Sequence, residues 1–255
     1  SSESLFWHLT DFANQKEEWN DCVEIHVILA VRELEEMLSS EYQQRVKRHG
    51  ESKPFEQFLK RRHFISSHHK KAAEVLTQLS EQSIPVTLIN YSAHKKIISQ
   101  RVFDVLGCSD LFPKEQMGDL VINRSLSQKE LQMLMTINAL YYDQFPWIST
   151  RLSDALAKQL PNTQTQHSRI SPKSLEKLYE KNNSYLKIIN SKLNTNEPLT
   201  VKETFKKDQQ TKKSAKQLER TKQEEAQSIK LISQTLLEAL RDDPTQRLSN
   251  DTIDT

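Results

Sequence analysis

A guanidinium at the end of an apolar run and a hydroxyl eight residues later, Arg32 and Ser40, are the groups whose types and spacing best suit chemistry in this chain. The run before them, Val23–Val31, is mostly apolar and rich in β-branched side chains. That is the pattern of a strand covered on both faces of a parallel sheet. Arg32 then falls at the strand's carboxyl end, the edge at which open α/β sheets receive their ligands. Ser40 follows on a helix leaving that strand, where its hydroxyl can face the same crevice. An arginine fork with a hydroxyl suits a phosphate, because charge-assisted hydrogen bonds contribute about 1.5–3 kcal/mol each. The plainer reading of Arg32 is an exposed ion pair with Glu33, Glu35 or Glu36, worth about 0–1 kcal/mol.

The run Ile28–Gln44, ILAVRELEEMLSSEYQQ, resembles a segment of sulfotransferases that use 3′-phosphoadenosine 5′-phosphosulfate (PAPS). In that family an arginine ends a strand and a serine eight residues on helps to bind the donor's 3′-phosphate. The bacterial polysaccharide-type members look most similar, continuing with a tyrosine, glutamines and a basic stretch as Tyr42, Gln43, Gln44 and Arg45 do. Ile84–Asn90, then Tyr91-Ser92-Ala93-His94 and KKIISQRVFDVLG, looks like the family's strand, tyrosine and helix. Asn123-Arg124-Ser125-Leu126-Ser127 with Glu130 is similar to its Asn-x-Ser-Leu-Ser segment. Glu33 and Leu34 stand where the family carries aspartate and proline, and Ser92 where it carries glutamate.

The resemblance covers about residues 1–193. It implies PAPS as co-substrate without a metal, and sulfuryl transfer to a hydroxyl of a carbohydrate acceptor. It also implies that Arg32, Ser40 and Tyr91 bind the donor. Glu3 takes the place of a general base that deprotonates the acceptor hydroxyl. Its plainer reading is a first-turn acid favoured by the helix dipole; that of Tyr91 is a packing residue with a wet hydroxyl. The family's 5′-phosphosulfate loop has no counterpart, since Gly50, Gly107 and Gly118 lie too far apart to cradle a phosphate. Ser1-Ser2-Glu3 resembles the end of the strand that follows that loop. The expectation is therefore an N-terminally incomplete domain, weakly active or inactive by itself.

Composition bounds the alternatives. The chain has 255 residues and a net charge of +2, enough for one α/β domain with an appendage. Two cysteines, Cys22 and Cys108, make no disulfide framework. No apolar run is long enough to span a bilayer and no cleavable signal is visible, so a cytoplasmic setting is expected. His63, His68 and His69 lack zinc-site spacing and read as a solvated basic face. Arg45–Lys71 holds nine Lys or Arg against two acidic residues. It supports a second hypothesis, a non-catalytic polyanion or nucleic-acid binder, although nucleic acid is not the expected partner.

These groups need elements to position them. Helices are expected from Ser2 to Trp19, from Glu35 to Arg48 with a stop at His49-Gly50, from Pro54, and from Ser66 or Ser67. The last leads to a second parallel strand at Ile84–Asn90. Ser127 and Glu130 form a capping box, and helices follow at Gln128–Asp143, Trp147–Gln159 and Pro172–Leu193, with a surface loop at Pro161–Arg169. The expected fold is α/β, a partial P-loop-like parallel sheet with helices on both faces and a mostly helical C-terminal region. Residues 194–255 read as a charged linker, with eight basic and three acidic residues from Lys202 to Lys222, then an amphipathic helix. Its stripe Ile229, Ile232, Leu236 and Leu240 docks on the domain or, in a third hypothesis of a helical interaction protein, binds a partner through 222–241.

Overall fold

The computed structural model describes residues 3–15, 24–113, 124–161, 163, 170–200 and 215–241. Ser2, Cys22, Asn123 and most of the loop expected at 161–169 lie outside them. The described chain is mixed α/β, with helices dominating a two-stranded parallel sheet. In chain order the elements are α1 (Glu3–Asn14), β1 (Val27–Val31), α2 (Leu34–Arg48), α3 (Phe55–Arg61), α4 (Ser67–Glu81), β2 (Val86–Asn90), α5 (Tyr91–His94) and α6 (Ile98–Val105). A 3₁₀ turn at Ser109–Leu111 follows, then α7 (Gln128–Tyr141), α8 (Ile148–Gln159), α9 (Pro172–Asn190) and α10 (Ala215–Arg241). None of the described helices is long and apolar enough to cross a membrane.

The chain divides into two compact units that are not consecutive in sequence. The first comprises Ser1–Leu38, Glu56–Gly118 and Ile170–Lys202; the second comprises Ser39–Phe55, Asp119–Arg169 and Glu203–Thr255. The first unit contains the sheet. β1 and β2 run parallel in a register from Val27 opposite Val86 to Val31 opposite Asn90. The ladder is shorter than the apolar run beginning at Val23 implied. Pro85, just before β2, accepts a bond from Val27 N–H at 2.9 Å but has no N–H with which to extend the pairing. Burial also alternates along β1: Val27, Leu29 and Val31 are buried while Ala30 is exposed. Period-two burial marks a strand covered mainly on one face, not on both.

Leu9, Val27, Val75, Leu79 and Ile84 form a core cluster of this unit, joining α1, β1 and α4 and the residues entering β2. Full burial of one such side chain stabilises by about 1.5–3 kcal/mol. Ser66 caps α4, its side chain accepting the His69 N–H. α4 packs against α9 as well as α1, and Ala72 and Ala73 on its buried face are small enough to let a helix approach closely.

In the second unit Tyr42 is fully buried, its hydroxyl donating to the Lys53 carbonyl at 2.9 Å and its ring 4.9 Å from that of Phe55. Gly50, just past the end of α2, has φ +65°, and a Cβ there would fall on the Tyr142 ring. The capping box expected at Ser127–Glu130 is present at the start of α7. α7, α8 and α10 pack on one another. α10 buries Ser228, Leu231, Ile232 and Thr235, whereas Ile229 and Leu237 are exposed. The inward stripe is thus rotated from the expected one, because small polar residues share the inner face.

Candidate functional site

Two strand ends build the site within the first unit. Register places Val31 opposite Asn90, so the next residues, Arg32 and Tyr91, emerge side by side at the sheet's carboxyl edge. The Arg32 guanidinium carbon lies 4.1 Å from the centre of the Tyr91 ring. Such cation–π contacts contribute about 0.5–1 kcal/mol when exposed and about 2 when desolvated. Both chain exits are pinned. The Asn90 side chain accepts from Ala93 N–H at 3.1 Å, starting α5 directly at the strand end. Ser92 Oγ accepts from Glu33 N–H at 2.9 Å and donates to Glu36 Oε2 at 2.8 Å, tying the entry of α2 to α5. Asn90 Nδ2 donates to the Glu197 carbonyl at 3.0 Å, and His94 Nε2 lies 2.7 Å from Glu197 Oε2.

Behind Arg32 lies a buried polar chain. His69 Nε2 is 2.9 Å from the Arg32 carbonyl and its Nδ1 is 2.9 Å from Ser66 Oγ. Burial pushes the His69 imidazole down to about 4, against a smaller upward pull from its bond to the Arg32 carbonyl, with the nearby His68 lowering it a little further. The ring is therefore neutral near pH 7. A carbonyl can only accept, so the proton sits on Nε2 and Nδ1 accepts from the Ser66 hydroxyl. Ser66 N–H in turn donates to Asn182 Oδ1 at 2.9 Å, and Asn182 Nδ2 donates to the Phe64 and Leu178 carbonyls at 2.7 Å each.

Carboxylates adjoin this edge. Glu33 and Glu35 are buried. Burial, then the neighbouring charge of Glu36, pushes Glu35 up to about 7. Burial, with the charges of Glu33 and Glu35, also pushes the Tyr179 hydroxyl upward. A buried carboxyl raised in this way carries less negative charge into the first turn of α2 than its composition implies. The arrangement can seat an anion on a guanidinium held over an aromatic face.

Of the four site residues expected from sequence, Arg32 and Tyr91 are brought together. Ser40 is half-buried on the part of α2 assigned to the second unit, and Glu3 is the first residue of α1. Sequence reasoning missed the inward role of His69, read as part of a solvated basic face. The available signal was its spacing from Ala72, Ala73 and Leu76, which places all four on one side of α4. It missed Glu35 and Ser92 as well, whose roles depend on burial and on contacts distant in sequence.

The basic stretch 45–71 presents less charge than its composition implied. Lys47 is buried, and burial, with the charges of Arg48 and Arg124 outweighing Asp154, lowers its pKa. Arg48 bonds Asp154 at 2.6 Å and Ser153 at 3.1 Å. Among the described residues no group of three or more His, Cys, Asp or Glu could hold a metal ion. In comparisons with known proteins, no family model matches the chain, and neither the curated proteins nor the solved structures yield a significant match.

Proposed function

We propose that this chain is a sulfotransferase-like protein that receives the 3′-phosphoadenosine end of PAPS at the carboxyl edge of β1 and β2. The observation carrying this reading is the Arg32 guanidinium lying 4.1 Å over the Tyr91 ring, at the matching ends of two adjacent parallel strands. An aromatic face beneath a guanidinium restricts its orientation, and a planar fork so held matches phosphate oxygens. Parallel strands joined through helices support the finer reading of a partial P-loop-like sheet. Sulfuryl transfer from PAPS to a carbohydrate hydroxyl is the reaction this reading entails. Glu3 is its base, by resemblance alone.

Calorimetry with 3′-phosphoadenosine 5′-phosphate and with 5′-AMP tests the reading. The intact chain should prefer the bisphosphate at least about tenfold, the equivalent of one charge-assisted hydrogen bond. Arg32→Ala should remove that preference while leaving the fold, monitored by circular dichroism, unchanged. Ser40→Ala in the same titration tests the part that the resemblance gives to that hydroxyl. Equal affinity of the intact chain for both nucleotides, or none for either, would sink the proposal.

A further inference from the structure

We infer that His69 is a positioning residue for this nucleotide edge, holding the Arg32 peptide so that the guanidinium stays over Tyr91. The inference rests on the proposed donor site and names what fixes its geometry. Arg32 follows the last ladder residue of β1, Val31, so the sheet does not continue beyond it to hold its carbonyl. His69 supplies that partner across 37 positions of sequence, with Nε2 2.9 Å from the Arg32 oxygen. The ring is nine-tenths buried and neutral, and its second nitrogen is engaged by Ser66 at 2.9 Å. Both edges of the imidazole are therefore fixed, and a ring so held fixes the carbonyl that it bonds.

The support behind His69 is itself unusual. His63 and Phe64, just upstream of the Ser66 cap, have φ of 54° and 58°, left-handed values that side-chain-bearing residues seldom adopt. Asn182 of α9 holds this turn from both ends, donating to the Phe64 carbonyl at 2.7 Å and accepting from Ser66 N–H at 2.9 Å. A strained turn clamped by a fully buried asparagine makes sense if the start of α4 must sit at one place. His69 lies on the first turn of that helix. The chain of contacts runs from Asn182 through Ser66 and His69 to the Arg32 backbone, and ends at the guanidinium over Tyr91.

Two variants of similar size separate positioning from simple stability. His69→Gln can still extend an amide N–H to the Arg32 carbonyl. His69→Asn keeps an amide on the Ser66 side but is too short to reach Arg32. NMR of the Arg32 side chain reads the Tyr91 ring current without any ligand, and nucleotide titrations read the preference for the 3′-phosphate. The expected result is that His69→Asn moves the Arg32 resonances toward unstacked values and reduces the bisphosphate preference to within about twofold, while His69→Gln restores both. A folded His69→Asn that keeps the ring-current shift would overturn the inference. Should that variant not fold, the intact protein decides: a slowly exchanging His69 Nε2 proton with a cross-peak to Arg32 is expected, and its absence overturns the inference. An intact chain that shows the ring current but no nucleotide preference defeats the donor site alone.

Discussion

His69 and Glu35 adjoin the same edge of the sheet and are perturbed in opposite directions, so their effects on stability oppose each other across pH. His69 falls from an ordinary 6.5 to about 4 on folding. The unfolded chain takes up a proton that the folded one refuses, so its contribution is present above about pH 6.5 and lost as pH falls toward 4. In full this amounts to about 3 kcal/mol. Glu35 rises from 4.5 to about 7. Its contribution is full below about pH 4.5 and lost as pH rises through 7. Between pH 4.5 and 6.5 the two trends cancel in part. Urea unfolding at a series of pH values should therefore show stability rising more steeply with pH in Glu35→Gln than in the parent over that window. In His69→Gln it should rise less steeply, or fall. Each difference approaches one proton, about 1.4 kcal/mol per pH unit. Identical slopes in all three proteins would mean that neither group is perturbed by its surroundings.

The start of α7 shows how an element is set by a local rule and then loaded by distant contacts. Ser127 and Glu130 were recognisable as a capping box because the rule needs only their spacing. What spacing could not reveal is that Glu130 is wholly buried, bonded by Arg124 at 2.7 and 2.8 Å and by Ser228 of α10 at 3.1 Å. Burial by itself would raise the Glu130 carboxyl; the bonds from Arg124, Ser127 N–H and Ser228 outweigh it and hold the group below the usual range. Arg124→Met leaves that carboxylate buried without its cation and should cost about 3–5 kcal/mol in urea unfolding. Adding Glu130→Leu should recover most of the loss, leaving a deficit of about 1 kcal/mol for the lost bond from Ser127 N–H, while Ser127 still caps the helix. A double variant no more stable than Arg124→Met would refute the account. The same division explains the rest of the reading from sequence. The β1 exit, the Ser66 cap and the Gly50 stop follow local rules. The Arg32–Tyr91 contact, the buried His69 and the short ladder at Pro85 depend on partners dozens of residues away.

At the scale of the whole molecule, the chain leaves and re-enters each compact unit, and α10 returns to the second one to pack on α7 and α8. Apolar periodicity alone pointed to Ile229, Ile232, Leu236 and Leu240 as the docking stripe, the last with a side chain outside the described ones. The buried set is Ser228, Leu231, Ile232 and Thr235, at the i, i+3, i+4 and i+7 spacing of one helical face. Ser228 can lie inward because Glu130 Oε1 at 3.1 Å and the Glu224 carbonyl at 3.0 Å both lie within reach of its hydroxyl, so its one proton has an acceptor. The rotation turns Ile229 outward, at 52% exposure. Two alanine substitutions therefore distinguish the faces. Leu231→Ala removes a buried side chain from the α10 packing and should lower unfolding stability by about 2–5 kcal/mol, whereas Ile229→Ala should stay within about 0.5 kcal/mol of the parent. The reverse order would restore the stripe read from apolar residues alone. Equal small effects would mean that α10 contributes little to the stability of the unit on which it packs.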